Sequence, residues 1–260
     1  GLLSRRSREA RRYAAGFLTH VVLDRFSHPY INFFAGWWER TRPETKRYRH
    51  MHPFLERLID IELLEEKQGS HPRTLPFADY VDCGPELPEP FVAEIGEALA
   101  DSVISAARDE ELMPRLRNAY LDALGYYRYT SQVDEAYMRE ARQRELRGEI
   151  SERWLSLIHP PRLPYAIDTL NRSHRTWCHP CDESRSSSES FLDIWKRGLS
   201  EALPLLRLLD RDVAAEVIAG EVGPENLNDG LRGETPCKRR EMAPLPLPEL
   251  YEAIRRSYDE

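Results

Sequence analysis

The sequence predicts an all-α protein. Helix-length runs of apolar and charged residues alternate with segments rich in proline and glycine, and no internal repeat is evident. The composition, 41% hydrophobic and 31% charged, suits helices with one buried and one well-solvated face. Helices are expected from about Ser4 to Ser27, Pro53 to Lys67, Glu89 to Ala107, Glu110 to Leu157 with a break, Ser188 to Leu209, and Pro246 to Tyr258. A chain of 260 residues can bury one substantial core or two modest ones. The simpler division is a helical domain over 1–219, followed by a linker and C-terminal helix over 220–260.

The first helix raises a chemical question. In GFLTHVVLDRFSHPYI, Gly16 to Ile31, the residues His20, Asp24 and His28 stand four apart. Steps of four turn only about 40° around a helix, so the three share one face. Leu18, Val21 and Val22 make the surrounding surface core-facing, where polar groups need partners. His20 and His28 lie about 12 Å apart along the axis, too far for one ion. Asp24 has two oxygens and can serve either neighbour, a spacing that suits more than one metal. Pro29 disfavours the α conformation at His28, which is expected as the last, turning residue of the helix. Each histidine taken alone also reads as a core residue bonded to a backbone carbonyl.

The next segment, NFFAGWWERTRPETKRY, is an aromatic connection. Its Phe33, Phe34, Trp37 and Trp38 either pack a loop onto the core or, beside a metal cleft, meet an apolar substrate. RHMHPFLERLID then opens the second helix, with Pro53 suited to a first turn. It offers His50, His52, Glu56 and Asp60, and His52 and Glu56 are again four apart. The bland alternative makes Glu56 the partner of a helix cap, although His52 is a poor N-cap. H-x3-D-x3-H followed by H-x3-E favours a metal site. Histidine and carboxylate donors without sulfur point to zinc, with iron or manganese also compatible.

Gly69 to Pro90 is rich in proline and glycine and is expected as a loop in which His71 is ordinary surface. Further on, DTLNRSHRTWCHP and SSSESFLDIW follow one another. WCHPC has the W-C-x-P-C shape of a thioredoxin-type redox site, but the polar residues before it are not strand-like. A disulfide or thiols without further role, and a structural zinc on His174, Cys178 and Cys181, are the other readings. Gly220 to Pro248 carries so many turn and charged residues that it is expected to be poorly structured.

The net charge of -7 argues against a nucleic-acid partner. The one basic patch, SRRSREARRY from Arg5 to Arg12, reads as a solvated helix end or as a contact for lipid headgroups at a membrane surface. No apolar run approaches the length of a transmembrane helix, and the GLLS start lacks the apolar stretch of a signal peptide.

Three segments, YAAGFLTHVVLDRFSHPYI, HPFLERLID, and DTLNRSHRTWCHP with SSSESFLDIW behind it, together resemble the bacterial zinc-dependent phospholipase C family, whose fold single-strand nucleases share. The likeness runs well from about Tyr13 to Asp60 and more loosely from Asp168 to Trp195. It implies a multi-helix bundle with a multinuclear zinc cluster between helices. Asp24 of the His20–Asp24 pair would bridge two zincs. His28, His52 and Glu56 would hold a further one. It also implies more ligands upstream, an early His and an Asp in a Gly-Pro-Asp stretch linked to activating the attacking water. Because these do not precede Gly1, the resemblance leads us to expect an N-terminally truncated chain that is itself inactive. The function so implied is a zinc-dependent phosphodiester hydrolase cleaving phospholipid headgroups by a metal-activated water. The alternative is a non-catalytic helical metal-binding or structural domain. A geometric expectation follows: His28, His52 and Glu56 should converge with ligating atoms about 3 to 4 Å apart.

Overall fold

The computed structural model describes residues 7–211, 213–232 and 242–259. Its secondary structure is mostly helical: α1 (Arg8–Ala35), α2 (Met51–Gln68), α3 (Phe77–Val81), α4 (Glu89–Ser102), α5 (Ile104–Ala107), α6 (Leu112–Thr130), α7 (Glu135–Leu146), α8 (Phe191–Asp210), α9 (Ala215–Val222) and α10 (Leu247–Arg256). A small antiparallel hairpin, β1 (Trp177–His179) and β2 (Asp182–Ser187), qualifies the all-α expectation. WCHPC itself turns this hairpin, with Cys178 opposite Ser186 and a register shift before His179. Cys181 is disulfide-bonded while Cys178 and Cys83 are free, so the two cysteines of the C-x-x-C do not pair with each other.

Several helix ends differ from expectation, each for a local reason. α1 does not stop at His28 but continues through Pro29 to Ala35. The six residues after Pro29 include Tyr30, Ile31, Phe33, Phe34 and Ala35, all buried, and this burial outweighs the backbone preference before proline. Gly36, in the left-handed region at φ 70°, ends the helix, and its N–H reaches the Asn32 carbonyl at 3.2 Å. The expected helix from Glu89 to Ala107 breaks at Val103, which adopts an extended conformation between α4 and α5. The stretch from Glu110 to Leu157 resolves into α6, α7 and a 3-10 turn at Glu152–Leu157, with Asp134 capping α7 through a bond from the Tyr137 N–H. The expected start at Ser4 lies outside the described residues. Within Gly220 to Pro248, α9 ends at Val222 and an asparagine-rich turn from Asn226 to Leu231 follows, while 233–241 lie outside the described residues.

The chain divides into two units, Gly1–Phe26 with Ala78–Tyr127 and Trp195–Glu234, and Ser27–Phe77 with Arg128–Ile194 and Thr235–Glu260. In the first, Leu18 and Val22 of α1 pack with Ala202, Leu205 and Ile218, while Ala10 packs with Phe91 and Ile95. In the second, Tyr30 is fully buried and meets the rings of Phe34, Trp177 and Phe191 at 4.6, 5.6 and 5.5 Å between centroids. Phe54, Leu55 and Leu58 fill the inner face of α2, with Phe54 edge-on to Tyr251 of α10 at 4.9 Å. Burying each such side chain contributes about 1.5 to 3 kcal/mol, which fixes how α2 lies in its unit.

Candidate metal centre

The second unit holds the C-terminal turns of α1, which carry His28 and Asn32, and the N-terminal turns of α2, which carry His52 and Glu56. One ligating atom from each of His28, His52 and Glu56 lies within 4.8 Å of the other two. The His28 and His52 rings stand 5.4 Å apart between centroids. His52 Nε2 is 3.2 Å from Glu56 Oε1, the i,i+4 contact that one helical turn permits. Among the described residues no other three His, Cys, Asp or Glu side chains converge this closely.

The two nitrogens of His52 are assigned different work. Nδ1 faces the Oδ1 of buried Asn32 at 3.3 Å, an oxygen that can only accept, so the ring donates from Nδ1 there, while Nε2 faces Glu56. A metal at the triad would bind Nε2 in place of its contact with Glu56, with Asn32 still holding the Nδ1 proton. Asn32 does not stand out in the sequence, although it continues the four-residue spacing of His20, Asp24 and His28 by one more step. Burial pushes the Glu56 carboxyl up, but the bond from His52 and the charges of His52, Arg57 and His28 hold it net below the usual carboxylate range. Glu56 is therefore ionised, as a ligand has to be.

The other sequence candidates are placed differently. His20 and Asp24 fall in the first unit and pair with each other, Nε2 to Oδ2 3.2 Å, with the His20 side chain 59% exposed and Asp24 16%. His50 stands 3.9 Å from Glu152. Asp60 binds Arg57 at 3.1 Å and the Nε2 of His159 at 3.0 Å. Phe33, Phe34 and Trp37 of the aromatic connection are buried, and Trp38 is stacked under Arg49 at 5.1 Å. Three of the four therefore pack the core rather than offering a surface to substrate.

Two histidines and one glutamate form a donor set that can hold a divalent ion such as zinc, iron or manganese, with coordination positions left for water. Each ligand pair of a zinc tetrahedron is separated by about 3.3 Å, which the His52–Glu56 distance of 3.2 Å already meets. No family model, curated protein or solved structure matches the chain.

Proposed function

We propose that the chain is a zinc-dependent phosphodiester hydrolase of the phospholipase C type, with His28, His52 and Glu56 as protein ligands and a phospholipid headgroup ester as substrate. The supporting observation is the convergence of these three side chains from two helices. When bound there, zinc would supply a water of lowered pKa and neutralise charge on the phosphate oxygens. The residues of the chain prepare for this. Asn32 fixes the His52 tautomer, and neighbouring positive charge keeps Glu56 ionised. The multinuclear cluster that the resemblance implies would also use His20 and Asp24; the three converging ligands support one ion.

The net charge of -7 favours a small or zwitterionic ester over a polyanion. No described helix is long and apolar enough to cross a membrane. Contact with a lipid surface would fall to exposed residues such as Arg8 and Arg12 of α1.

Cobalt substitution tests the reading. Protein purified without added metal and titrated with Co2+ is expected to take up one ion per chain at the triad. Its visible spectrum should shift when dimethyl phosphate is added, because an open position accepts the phosphate oxygen. Uptake unchanged by His52→Ala and Glu56→Gln would remove the site. Uptake with a spectrum indifferent to dimethyl phosphate would favour the non-catalytic metal-binding domain.

A further inference from the structure

The aromatic connection between α1 and α2 carries a surplus of positive charge that its sequence disguises. From Glu39 to Arg49 it holds five basic and two acidic side chains, in a chain of net charge -7. The two carboxylates interrupt the basic run, but the fold uses both locally. Glu39 accepts the Trp37 indole N–H at 3.1 Å, and Glu44 pairs with Arg42 at 3.0 Å. From other elements, Glu249 of α10 pairs with Arg47, and Glu152 faces His50 at 3.9 Å. Arg40, Lys46 and Arg49 are exposed and have no carboxylate partner among the described residues.

The backbone beneath these cations is held in one shape. Thr45, 1% exposed, donates its hydroxyl to the Arg42 carbonyl at 2.6 Å and accepts the Glu39 N–H at 2.9 Å. The Arg42 N–H closes on the Glu39 carbonyl at 3.0 Å, and the 3-10 turn Pro43–Tyr48 follows. Beside them Trp38 is 39% exposed, whereas Trp37, Trp154 and Trp177 are buried. The Arg49 guanidinium lies over the Trp38 ring at 5.1 Å. An indole open to solvent next to unpaired cations suits the headgroup layer of a bilayer, where the ring sits at the apolar boundary and the cations meet lipid phosphates.

We infer that Trp38, Arg40, Lys46 and Arg49 form a docking surface for an anionic phospholipid bilayer. Single-stranded nucleic acid offers the same phosphate charge, but bases stack on open aromatic faces, and Arg49 already covers one face of Trp38. The choice of lipid also rests on the phospholipid substrate proposed above. The surface belongs to the segment that joins the helices of His28 and His52, whereas Arg8 and Arg12 lie in the first unit.

Sedimentation of the whole protein with vesicles tests this, in excess chelator to prevent turnover. Binding is expected to vesicles that contain phosphatidylglycerol, to be absent with phosphatidylcholine alone, and to fall as salt rises. Arg40→Gln, Lys46→Gln and Arg49→Gln should each weaken it about fivefold. Lipids brominated near the headgroup should quench the tryptophan emission of the wild type and much less that of Trp38→Phe. All four side chains are exposed, so these variants should keep the wild-type melting temperature. No binding, equal binding to phosphatidylcholine alone, or losses confined to Arg8→Gln and Arg12→Gln would overturn the assignment. A single-stranded oligonucleotide that binds more tightly than the vesicles, with the same three losses, would also overturn it in favour of nucleic acid. The cobalt titration uses no lipid, so failure of this surface and failure of the zinc reading are told apart.

Discussion

At the scale of single residues, the orientation of one imidazole decides whether the triad can act as a metal site. His52 can present Nε2 to a cation only while Nδ1 carries the proton, and Asn32 Oδ1 at 3.3 Å is the acceptor that holds it there. Replacing Asn32 with Ala should weaken zinc about 10- to 100-fold, measured by competition with a chromophoric chelator. Asn32→Asp, which still accepts from Nδ1, should restore most of the affinity, whereas a purely structural role for Asn32 would make the two variants alike. The spacing of His52 and Glu56 is legible in the sequence because i,i+4 neighbours on a helix meet whatever surrounds them. The approach of His28 is not: it depends on how α1 and α2 pack, which no spacing within either helix encodes. Asn32 escapes notice for a related reason, since an asparagine near the end of an apolar run reads as a turn residue until its partner is known.

At the scale of elements, most helices are legible because their apolar periodicity spans several turns, while their ends depend on single residues with tertiary partners. α1 is the instructive case. Pro29 has no N–H to give the carbonyl of Arg25, four residues earlier, and the sequence alone suggests a helix end there. Gly230, at φ 66°, packs against this carbonyl so closely that an added Cβ would come within 2.5 Å of the Arg25 oxygen. The Arg25 guanidinium secures the same segment through the carbonyls of Val222 and, at 3.1 Å, Gly223. Gly230→Ala should therefore cost more than about 1 kcal/mol in urea unfolding, from the strained φ and the clash together. Gly16, exposed on α1 with nothing within 4 Å of where an alanine methyl would stand, gives the opposite sign. Gly16→Ala should raise stability by about 0.5 to 1 kcal/mol, and a loss would show that the helix is not formed there in solution. The hairpin escapes sequence reading because its strands are short and polar on one side, so neither periodicity nor apolar content announces them.

At the scale of the whole molecule, the response to acid follows from carboxylates whose environments oppose one another. Glu145 of α7, its side chain 7% exposed, accepts from Arg142 at 3.0 Å and the Trp154 indole at 3.0 Å, and pairs with Arg255 of α10. Burial pushes its carboxyl up, but the bonds from Arg255, Trp154 and Arg142 outweigh that and leave it below the usual range. Asp168 is lowered in the same way: burial raises it, and the Ser173 hydroxyl and backbone bonds more than compensate. Glu62 goes the other way, because burial raises it and its bond from Thr169 and the Arg172 charge do not fully offset this. A carboxyl with a lowered folded pKa stabilises the fold above its unfolded pKa, about 4, and loses that contribution as pH falls through the folded value. A raised one adds its stability below the unfolded pKa and loses it as pH rises through the folded value. Glu145→Gln should thus cost about 3 kcal/mol at pH 7, since it leaves two buried guanidinium groups under-compensated. Its deficit against wild type should shrink once the pH drops below the ordinary carboxylate range. Glu62→Gln should cost less than about 1 kcal/mol at pH 7, because the charge it removes is disfavoured in the fold. Urea unfolding of the three proteins at neutral pH and at pH about 3 checks both signs. A deficit for Glu145→Gln that stays constant across that range would mean that its carboxylate is not what the arginines hold in place.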